Sequence, residues 1–200
     1  MKSTLAKSLL FWIVLIVTAV ATWKLFAFEG DAGGRVTAAP AEQSATDPEA
    51  KLKELGIVLP TPGAPTASYV NAVQTGNLLF LAGKGPLQQD GKDVVGRLGK
   101  DMTVEQGYQA ARSVAIAHLA VLKKELGDLK RVTRIVKVLG MVNSDPAFTQ
   151  QPAVVNGYSD LMVAVFGDKG KHARSAVGMA ALPNGIPVEV EVIVEIGPIK

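Results

Sequence analysis

The amino-acid sequence lacks cysteine, contains only two histidines and has few aromatic residues, 6% of the chain. Without cysteine, a disulfide scaffold, a thiolate zinc site and a cysteine nucleophile are excluded. The sequence also has no phosphate-binding P-loop, no G-x-S-x-G elbow, no G-x-G-x-x-G motif at the start of a helix and no metal-ligand spacing. It therefore predicts neither a metal nor a cofactor. Of the two histidines, His118 is predicted to be a packed or partly exposed helix residue rather than a base.

Net charge is small once the N-terminus is set aside. The 200-residue chain has a formal net charge of +3, of which residues 1–29 carry +2 through three lysines and one glutamate. Residues 30–200 contain 18 basic and 17 acidic side chains and no basic stripe interleaved with aromatic residues. Nucleic-acid binding requires basic side chains that neutralise phosphates, so the sequence predicts no nucleic-acid partner.

A short apolar run near the N-terminus predicts export. Residues 9–21 contain Thr18 as their only polar side chain, and they follow Lys2 and Lys7 without an acidic residue between. The apolar core of a signal peptide has about 7 to 15 residues, whereas a membrane-spanning helix needs roughly 20. By length alone, residues 9–21 fit a signal peptide.

Two interpretations of this segment stay open. The small-x-small triplet at residues 19–21 fits a cleavage site. The apolar character resumes as far as Phe28, with Trp23 and Lys24 suited to a membrane interface, which favours an uncleaved anchor over residues 9–28. Both interpretations predict that the rest of the chain lies on the periplasmic or extracytoplasmic side, because the early lysines favour a cytoplasmic N-terminus.

The chain is predicted to have three parts. Residues 1–28 form a signal anchor or signal peptide, residues 29–54 a flexible linker, and residues 55–200 a folded domain. The linker prediction rests on residues 30–49, which are small and polar and show no hydrophobic period.

The first half of the domain predicts a hairpin followed by a helix. Apolar runs at residues 69–73 and 78–82 flank a Gln-Thr-Gly-Asn turn, which is a hairpin signal. Residues 84–100, rich in glycine and aspartate, are predicted as a loop with a short strand. The capping box Thr103-x-x-Gln106 and the apolar spacing after it predict a long amphipathic helix that ends at Gly127.

The second half predicts a strand, a helix and two further strands. Residues 132–142 have strand composition, and Pro152 opens a helix that stops at Gly167. Residues 175–181 and 188–196 are predicted to be antiparallel strands on either side of an Asn-Gly turn. In the last strand, valines alternate with glutamates, which indicates one apolar and one polar face.

This order of elements predicts an α+β protein with two helices on one face of a mixed sheet. Glu189 and Glu191 then lie on the opposite face, which a single-layer sheet leaves uncovered. Oligomerisation into a closed ring is the economical way to cover that face.

Arg174 is the candidate for chemistry. It lies in a basic segment, residues 171–174, at the start of an apolar strand, with Glu189 predicted on the neighbouring strand. An arginine at the edge of a sheet is commonly a solvated ion-pair partner. The functional alternative is a bidentate binder of a carboxylate, and the spacing alone leaves both open.

Two stretches of the chain resemble the signatures of the RidA (YjgF) family. One is Ala173-Arg174-Ser175-Ala176-Val177, then Leu182-Pro183 and Val188-Glu189-Val190-Glu191, and the other is Pro65-x-x-x-Tyr69-x-x-Ala72-Val73 followed by residues 76–83. The resemblance covers residues 55–200. It implies the chorismate-mutase-like fold of that family, with a mixed six-stranded sheet, two helices on one face and a homotrimeric assembly.

The resemblance also implies an activity: hydrolytic removal of ammonia from reactive 2-imino acids or enamines, giving 2-oxo acids without a cofactor. Arg174 would bind the carboxylate of a small imino acid. Glu189 would act as acid or base on a water near the backbone of Ala176. Tyr69 and Asn156 would line the substrate pocket, in a cleft between subunits.

Two residues depart from the family pattern. Ala176 replaces a frequent cysteine, although only the backbone is implied to act there. Ala82 replaces a serine before Gly83, which removes one polar contact from the pocket. The second departure leaves an alternative function open, a non-catalytic module of the same fold that binds a small carboxylate or other metabolite.

Overall fold

A computed structural model of the chain describes residues 47–65 and 67–198. The predicted export segment, residues 1–28, lies outside the described residues, as does most of the predicted linker. Within the two described ranges, no helix is long and apolar enough to cross a membrane.

The described residues form three α-helices and five strands. In chain order these are α1 (Pro48–Glu54), β1 (Ala72–Thr75), β2 (Leu78–Lys84), α2 (Val104–Leu126), β3 (Val132–Asn143), α3 (Gln151–Phe166), β4 (Ala173–Met179) and β5 (Val188–Ile196). Both long helices and one face of the sheet contribute to a single hydrophobic core. The predicted α+β fold, with α2 and α3 on one face of a mixed sheet, is confirmed.

Helix α1 corrects the predicted linker, which was drawn to residue 54. Asp47 caps this helix, because its Oδ1 accepts a hydrogen bond from the backbone N–H of Glu49 at 3.0 Å. Leu52 is only 4% exposed and belongs to the core. The prediction missed α1 because a seven-residue helix has too few apolar positions to show a period.

The local helix signals are confirmed. Thr103 and Gln106 form the reciprocal capping box, with hydrogen bonds of 2.8 and 3.2 Å, and α2 runs from there to a C-cap at Gly127. Gly127 has a φ of 74°, a conformation that glycine adopts at little cost. Helix α3 begins one residue before Pro152 and ends at Phe166, before Gly167.

The sheet order is β1-β2-β5-β3-β4, which corrects the predicted hairpin of the last two strands. β3 lies between β4 and β5, parallel to β4 and antiparallel to β5. The Asn-Gly turn is present, with Asn184 at a φ of 56°, but it leads into a crossover. β5 lies at the centre of the sheet, where the apolar side chains of Val188, Val190, Val192 and Val194 are buried. β4 lies at the edge and is partly exposed.

The sheet has five strands in the described residues, where six were predicted. Between β2 and α2 the chain forms isolated bridges only, Gln89 with Lys92 and Leu98 with Met102 and Ser144. Gly91, Gly96 and Gly99 have positive φ angles there, so the backbone turns repeatedly and cannot extend as a strand.

The face of the sheet away from α2 and α3, called the open face below, combines apolar side chains with carboxylates. The cross-strand partners Val73 and Phe80 are 56% and 40% exposed. Phe80 pairs with Ile193, which alternates with the buried valines of β5, so these three side chains share the open face with Glu189.

Candidate functional site

Arg174 lies on the edge strand β4 and is held by helix α3. Its Nη1 donates to the Asn156 Oδ1 at 2.9 Å and to the Ser159 Oγ at 3.0 Å, and its Nη2 donates to the Pro152 carbonyl at 3.3 Å. All three acceptors are neutral oxygens. Arg174 forms no ion pair with a carboxylate in the described part of the chain, so it is not the ion-paired surface residue that the spacing left open.

Two N–H donors of Arg174 remain available to a ligand. A guanidinium has five such donors, and the three hydrogen bonds above use two on Nη1 and one on Nη2. The Nε–H and the second Nη2–H have no partner among residues 47–65 and 67–198. These adjacent nitrogens form one edge of the guanidinium, the geometry that binds a carboxylate through two parallel hydrogen bonds.

Ser159 and His172 extend this arrangement. The Ser159 Oγ lies 3.0 Å from the His172 Nε2, and the His172 Nδ1 lies 2.7 Å from the Gly170 carbonyl oxygen. Burial lowers the pKa of His172, with a further decrease from the charge of Arg174, so the neutral imidazole is favoured.

Glu189 lies on the open face, against the bulge of β2. A Cβ atom on Gly83 would overlap its Oε1, so the carboxylate occupies space that only a glycine at position 83 leaves free. Burial raises the pKa of Glu189, and the negative charge of Glu191 raises it further. A carboxyl group with a raised pKa is suited to proton transfer near neutral pH.

Within one chain, the structure does not bring Arg174 and Glu189 together. Arg174 pairs with Val138 of β3, whereas Glu189 pairs with Met141, so the two residues lie two strands apart and three positions out of register. Strand geometry puts their Cα atoms about 14 Å apart. Arg174 contacts α3 on the helical face, whereas Glu189 is on the open face.

Of the other residues implied by the family signature, two lie on the same side of the sheet as Arg174. Asn156 contacts Arg174 directly, and Ala176 lies on the same face of β4, partly buried against the core. Tyr69 precedes β1 and is 48% exposed, and no hydrogen bond in the described ranges joins it to Arg174 or Glu189.

His118 is fully buried in α2, so of the two predicted positions, packed and partly exposed, it takes the packed one. Its Nε2 lies 3.2 Å from the Ala82 carbonyl oxygen, and its Nδ1 lies 3.0 Å from the Tyr158 Oη. Because a carbonyl only accepts, the Nε2–H donates to Ala82 and the Tyr158 hydroxyl donates to Nδ1. Burial lowers the pKa of His118 to about 4. This histidine therefore links α2 and α3 to β2, beside the bulge of β2 that Glu189 lies against.

Sequence reasoning missed Ser159 and His172 as site residues. Ser159 is three positions after Asn156 in α3, and side chains at that spacing share one face of a helix. That spacing could have pointed to Ser159. The contact of Ser159 with His172 depends on the turn after α3, and no local pattern encodes it.

Comparison with known proteins gives consistent matches. A family model described as "YjgF/chorismate_mutase-like, putative endoribonuclease" matches residues 49–195. Protein TCP17 of Trypanosoma cruzi is 46% identical over 148 residues, 74% of this chain and 92% of that protein. The crystal structure of the protein Atu1372 of Agrobacterium tumefaciens, whose function is unknown, has a TM-score of 0.69 and 43% identity, covering 75% of this chain and 92% of that one. A "putative endoribonuclease" of Shewanella oneidensis MR-1 has a TM-score of 0.72 and 30% identity, covering 75% and 99%.

The fold and these matches define an α+β protein of the YjgF/chorismate-mutase-like class. The chain belongs to the YjgF/RidA-like family. The matched region begins at residue 49, within α1, which agrees with the inclusion of that helix in the domain.

Proposed function

We propose that the protein is a hydrolytic deaminase of reactive 2-imino acids or enamines. The observation that carries this proposal is the state of Arg174, which is held by three neutral oxygens and has one edge of its guanidinium available. A cation that is fixed without a counter-charge is suited to an anionic ligand. A small 2-imino acid presents one carboxylate to such an edge.

The proposed chemistry is the addition of water to the imine carbon. Glu189 accepts a proton from the attacking water as the C–O bond forms and gives a proton to the nitrogen. The C–N bond of the resulting carbinolamine then breaks as Glu189 takes the hydroxyl proton and gives a proton to the amino nitrogen, releasing ammonia and leaving a 2-oxo acid. The raised pKa of Glu189 supports this role, because a group that both takes and gives a proton works best with a pKa near the working pH.

The proposed site lies between copies of the chain in a homotrimer. Arg174 and Glu189 lie on opposite faces of one sheet, so one small molecule cannot reach both within a chain. The exposed Val73 and Phe80 of the open face support an assembly that covers it. A neighbouring copy would then supply Glu189, and Tyr69, to the Arg174 of the first.

The test is an assay of imine hydrolysis. An amino acid oxidase generates the 2-imino acid, and the release of ammonia and 2-oxo acid is followed with wild type and with Arg174→Ala. Lys124→Ala is the matched control, since it removes one exposed positive charge from α2. We expect acceleration by wild type and by the control variant, and none by Arg174→Ala. Equal rates with and without Arg174 would contradict the proposal.

The family description also names an endoribonuclease. Labelled RNA incubated with the same preparations provides the counter-test. The proposal predicts no RNA cleavage that depends on Arg174, because the domain is nearly neutral and has no basic stripe.

The second candidate is a binding module that holds a small carboxylate without turnover. Ala82 favours it, because this position lacks the hydroxyl implied by the family signature. A thermal-shift screen with 2-oxo acids separates the two candidates. Stabilisation by a 2-oxo acid without imine hydrolysis would support the binding module.

The proposed location is outside the cytoplasm, attached through residues 9–28 or released after cleavage. This proposal rests on the composition of the first 28 residues alone. Mass spectrometry of the N-terminus from membrane and soluble fractions tests it. A soluble chain beginning at Thr22 would contradict the anchor.

A further inference from the structure

Ser159, which is not part of the family signature, forms hydrogen bonds with both Arg174 and His172. The Ser159 Oγ is 3.0 Å from the Arg174 Nη1 and 3.0 Å from the His172 Nε2. These residues come from three parts of the fold, since Ser159 lies in α3, Arg174 is the second residue of β4, and His172 lies in the segment between the two elements.

The directions of these hydrogen bonds follow from the chemistry of each group. The Gly170 carbonyl only accepts, so the His172 Nδ1 carries the proton and donates to it at 2.7 Å. In a neutral imidazole, Nε2 is then an acceptor, and the Ser159 hydroxyl must donate to it. The Ser159 oxygen keeps its lone pairs for the Arg174 Nη1–H. The result is a series of hydrogen bonds that all run in one direction, from Arg174 through Ser159 and His172 to Gly170.

These hydrogen bonds differ from those that a serine usually forms in a helix. A helical serine commonly bonds back to the carbonyl four residues earlier or points to solvent. Ser159 is partly buried, and its hydroxyl reaches across to His172 instead. Both N–H groups of the Arg174 Nη1 are thereby used, one by Ser159 and one by Asn156.

We propose that Ser159 and His172 are positioning residues for Arg174. They keep Nη1 hydrogen-bonded within the protein, so that the Nε–Nη2 edge of the guanidinium faces the substrate carboxylate. The inference deepens the proposed function and rests on it. Ser159 and His172 thereby restrict the site to a ligand whose carboxylate approaches the Nε–Nη2 edge. The rest of the ligand then faces the neighbouring copy of the chain. Ser159 and His172 themselves touch no reacting atom.

Variants that change one hydrogen bond of this series test the positioning role of Ser159 and His172. Ser159→Ala removes the acceptor for Nη1, whereas Ser159→Thr keeps a hydroxyl. His172→Leu removes the acceptor for that hydroxyl, whereas His172→Gln places an amide oxygen near the Nε2 position. Loss of one hydrogen bond to a charged group predicts about a tenfold weaker binding of a carboxylate. Ser113→Ala, which removes a hydroxyl that accepts from Leu87 at 3.0 Å, is the matched control.

The experiment combines two measurements on the full assembled protein. Nitrogen-15 NMR of the arginine side chains reports whether the Arg174 Nη protons are resolved or averaged by rotation, with no ligand required. Calorimetric titration with 2-oxobutanoate reports the carboxylate affinity. We expect restricted rotation and binding in wild type, Ser113→Ala, Ser159→Thr and His172→Gln. Free rotation and about tenfold weaker binding are expected in Ser159→Ala and His172→Leu.

The outcomes separate this inference from the proposed function. Equal rotation of Arg174 in wild type and Ser159→Ala would overturn the positioning role, as would unchanged affinity despite free rotation. If rotation changes as expected but wild type binds no 2-oxobutanoate, Ser159 and His172 still hold the guanidinium. In that case the carboxylate site, and with it the proposed function, is wrong.

Discussion

The Arg174 Nη1 donates to the Asn156 Oδ1 at 2.9 Å, which joins the edge strand β4 to helix α3 through a neutral amide. An aspartate at position 156 would have nearly the same shape and would place a negative charge against the guanidinium. The amide therefore fixes Arg174 while leaving its charge available to a ligand.

Asn156→Asp is predicted to weaken carboxylate binding without unfolding the protein. The new carboxylate would pair with Arg174 and repel an anionic ligand, so the affinity for 2-oxobutanoate should fall tenfold or more. Calorimetric titration measures the affinity, and thermal unfolding checks the fold. Asn156→Ala, which adds no charge, should bind more tightly than Asn156→Asp. The reverse order would show that the charge of Arg174 is not what binds the ligand.

The proposed hydrolytic activity is predicted to be lost as the pH falls through the pKa of Glu189, since the carboxylate form must accept the proton from water. That pKa is raised by burial and by Glu191, so the acidic limb of the profile of kcat/KM should lie above the usual range of a glutamate. Glu191→Gln removes the neighbouring negative charge and should move the limb to lower pH. A limb that stays in place would exclude Glu189 as its source.

Gly83→Ala is predicted to slow the proposed imine hydrolysis through its effect on Glu189. The added Cβ would overlap the Glu189 Oε1, so the carboxylate must move away from the β2 bulge. We expect kcat to fall about a hundredfold, the scale of a lost general acid or base, while binding of 2-oxobutanoate through Arg174 persists. Steady-state kinetics and titration give the two quantities. Full activity in Gly83→Ala would mean that the observed position of the carboxylate is not the working one.

Stability is predicted to depend on pH through His118. Its folded-state pKa is lowered to about 4 from the ordinary value of 6.5, so the unfolded chain takes up the proton first as the pH falls. Above pH 6.5, His118 therefore does not destabilise the folded protein. Between pH 6.5 and about 4, it lowers the free energy of unfolding progressively. The loss is about 3 kcal/mol relative to His118→Gln, which cannot titrate. Denaturant unfolding of both proteins at pH 7 and pH 4 measures it. A constant difference between the two proteins would refute the assignment.

Local signals predicted the elements of the fold well. The capping box at Thr103 and the stop at Gly127 are encoded by neighbouring residues, and both ends of α2 follow from them. The strand order could not be predicted in the same way, because the place of β5 between β2 and β3 depends on packing against residues far along the chain. An Asn-Gly turn has the same sequence whether it closes a hairpin or leads into a crossover.

The candidate site shows the same division. Arg174 and Glu189 could be selected from the resemblance to a family signature, but their separation on two faces of the sheet depends on which strand lies between them. The Ser159 and His172 contacts are set by the turn after α3. Tertiary structure, rather than any motif, brings them to Arg174.

Mixing two inactive variants tests directly whether one active site takes Arg174 from one chain and Glu189 from another. Arg174→Ala and Glu189→Gln are unfolded together in equal amounts, refolded, and assayed for hydrolysis of the imine. Random assembly gives each site an intact pair in about a quarter of cases, so the mixture should recover about a quarter of the wild-type activity. A mixture as inactive as either variant alone would contradict the account.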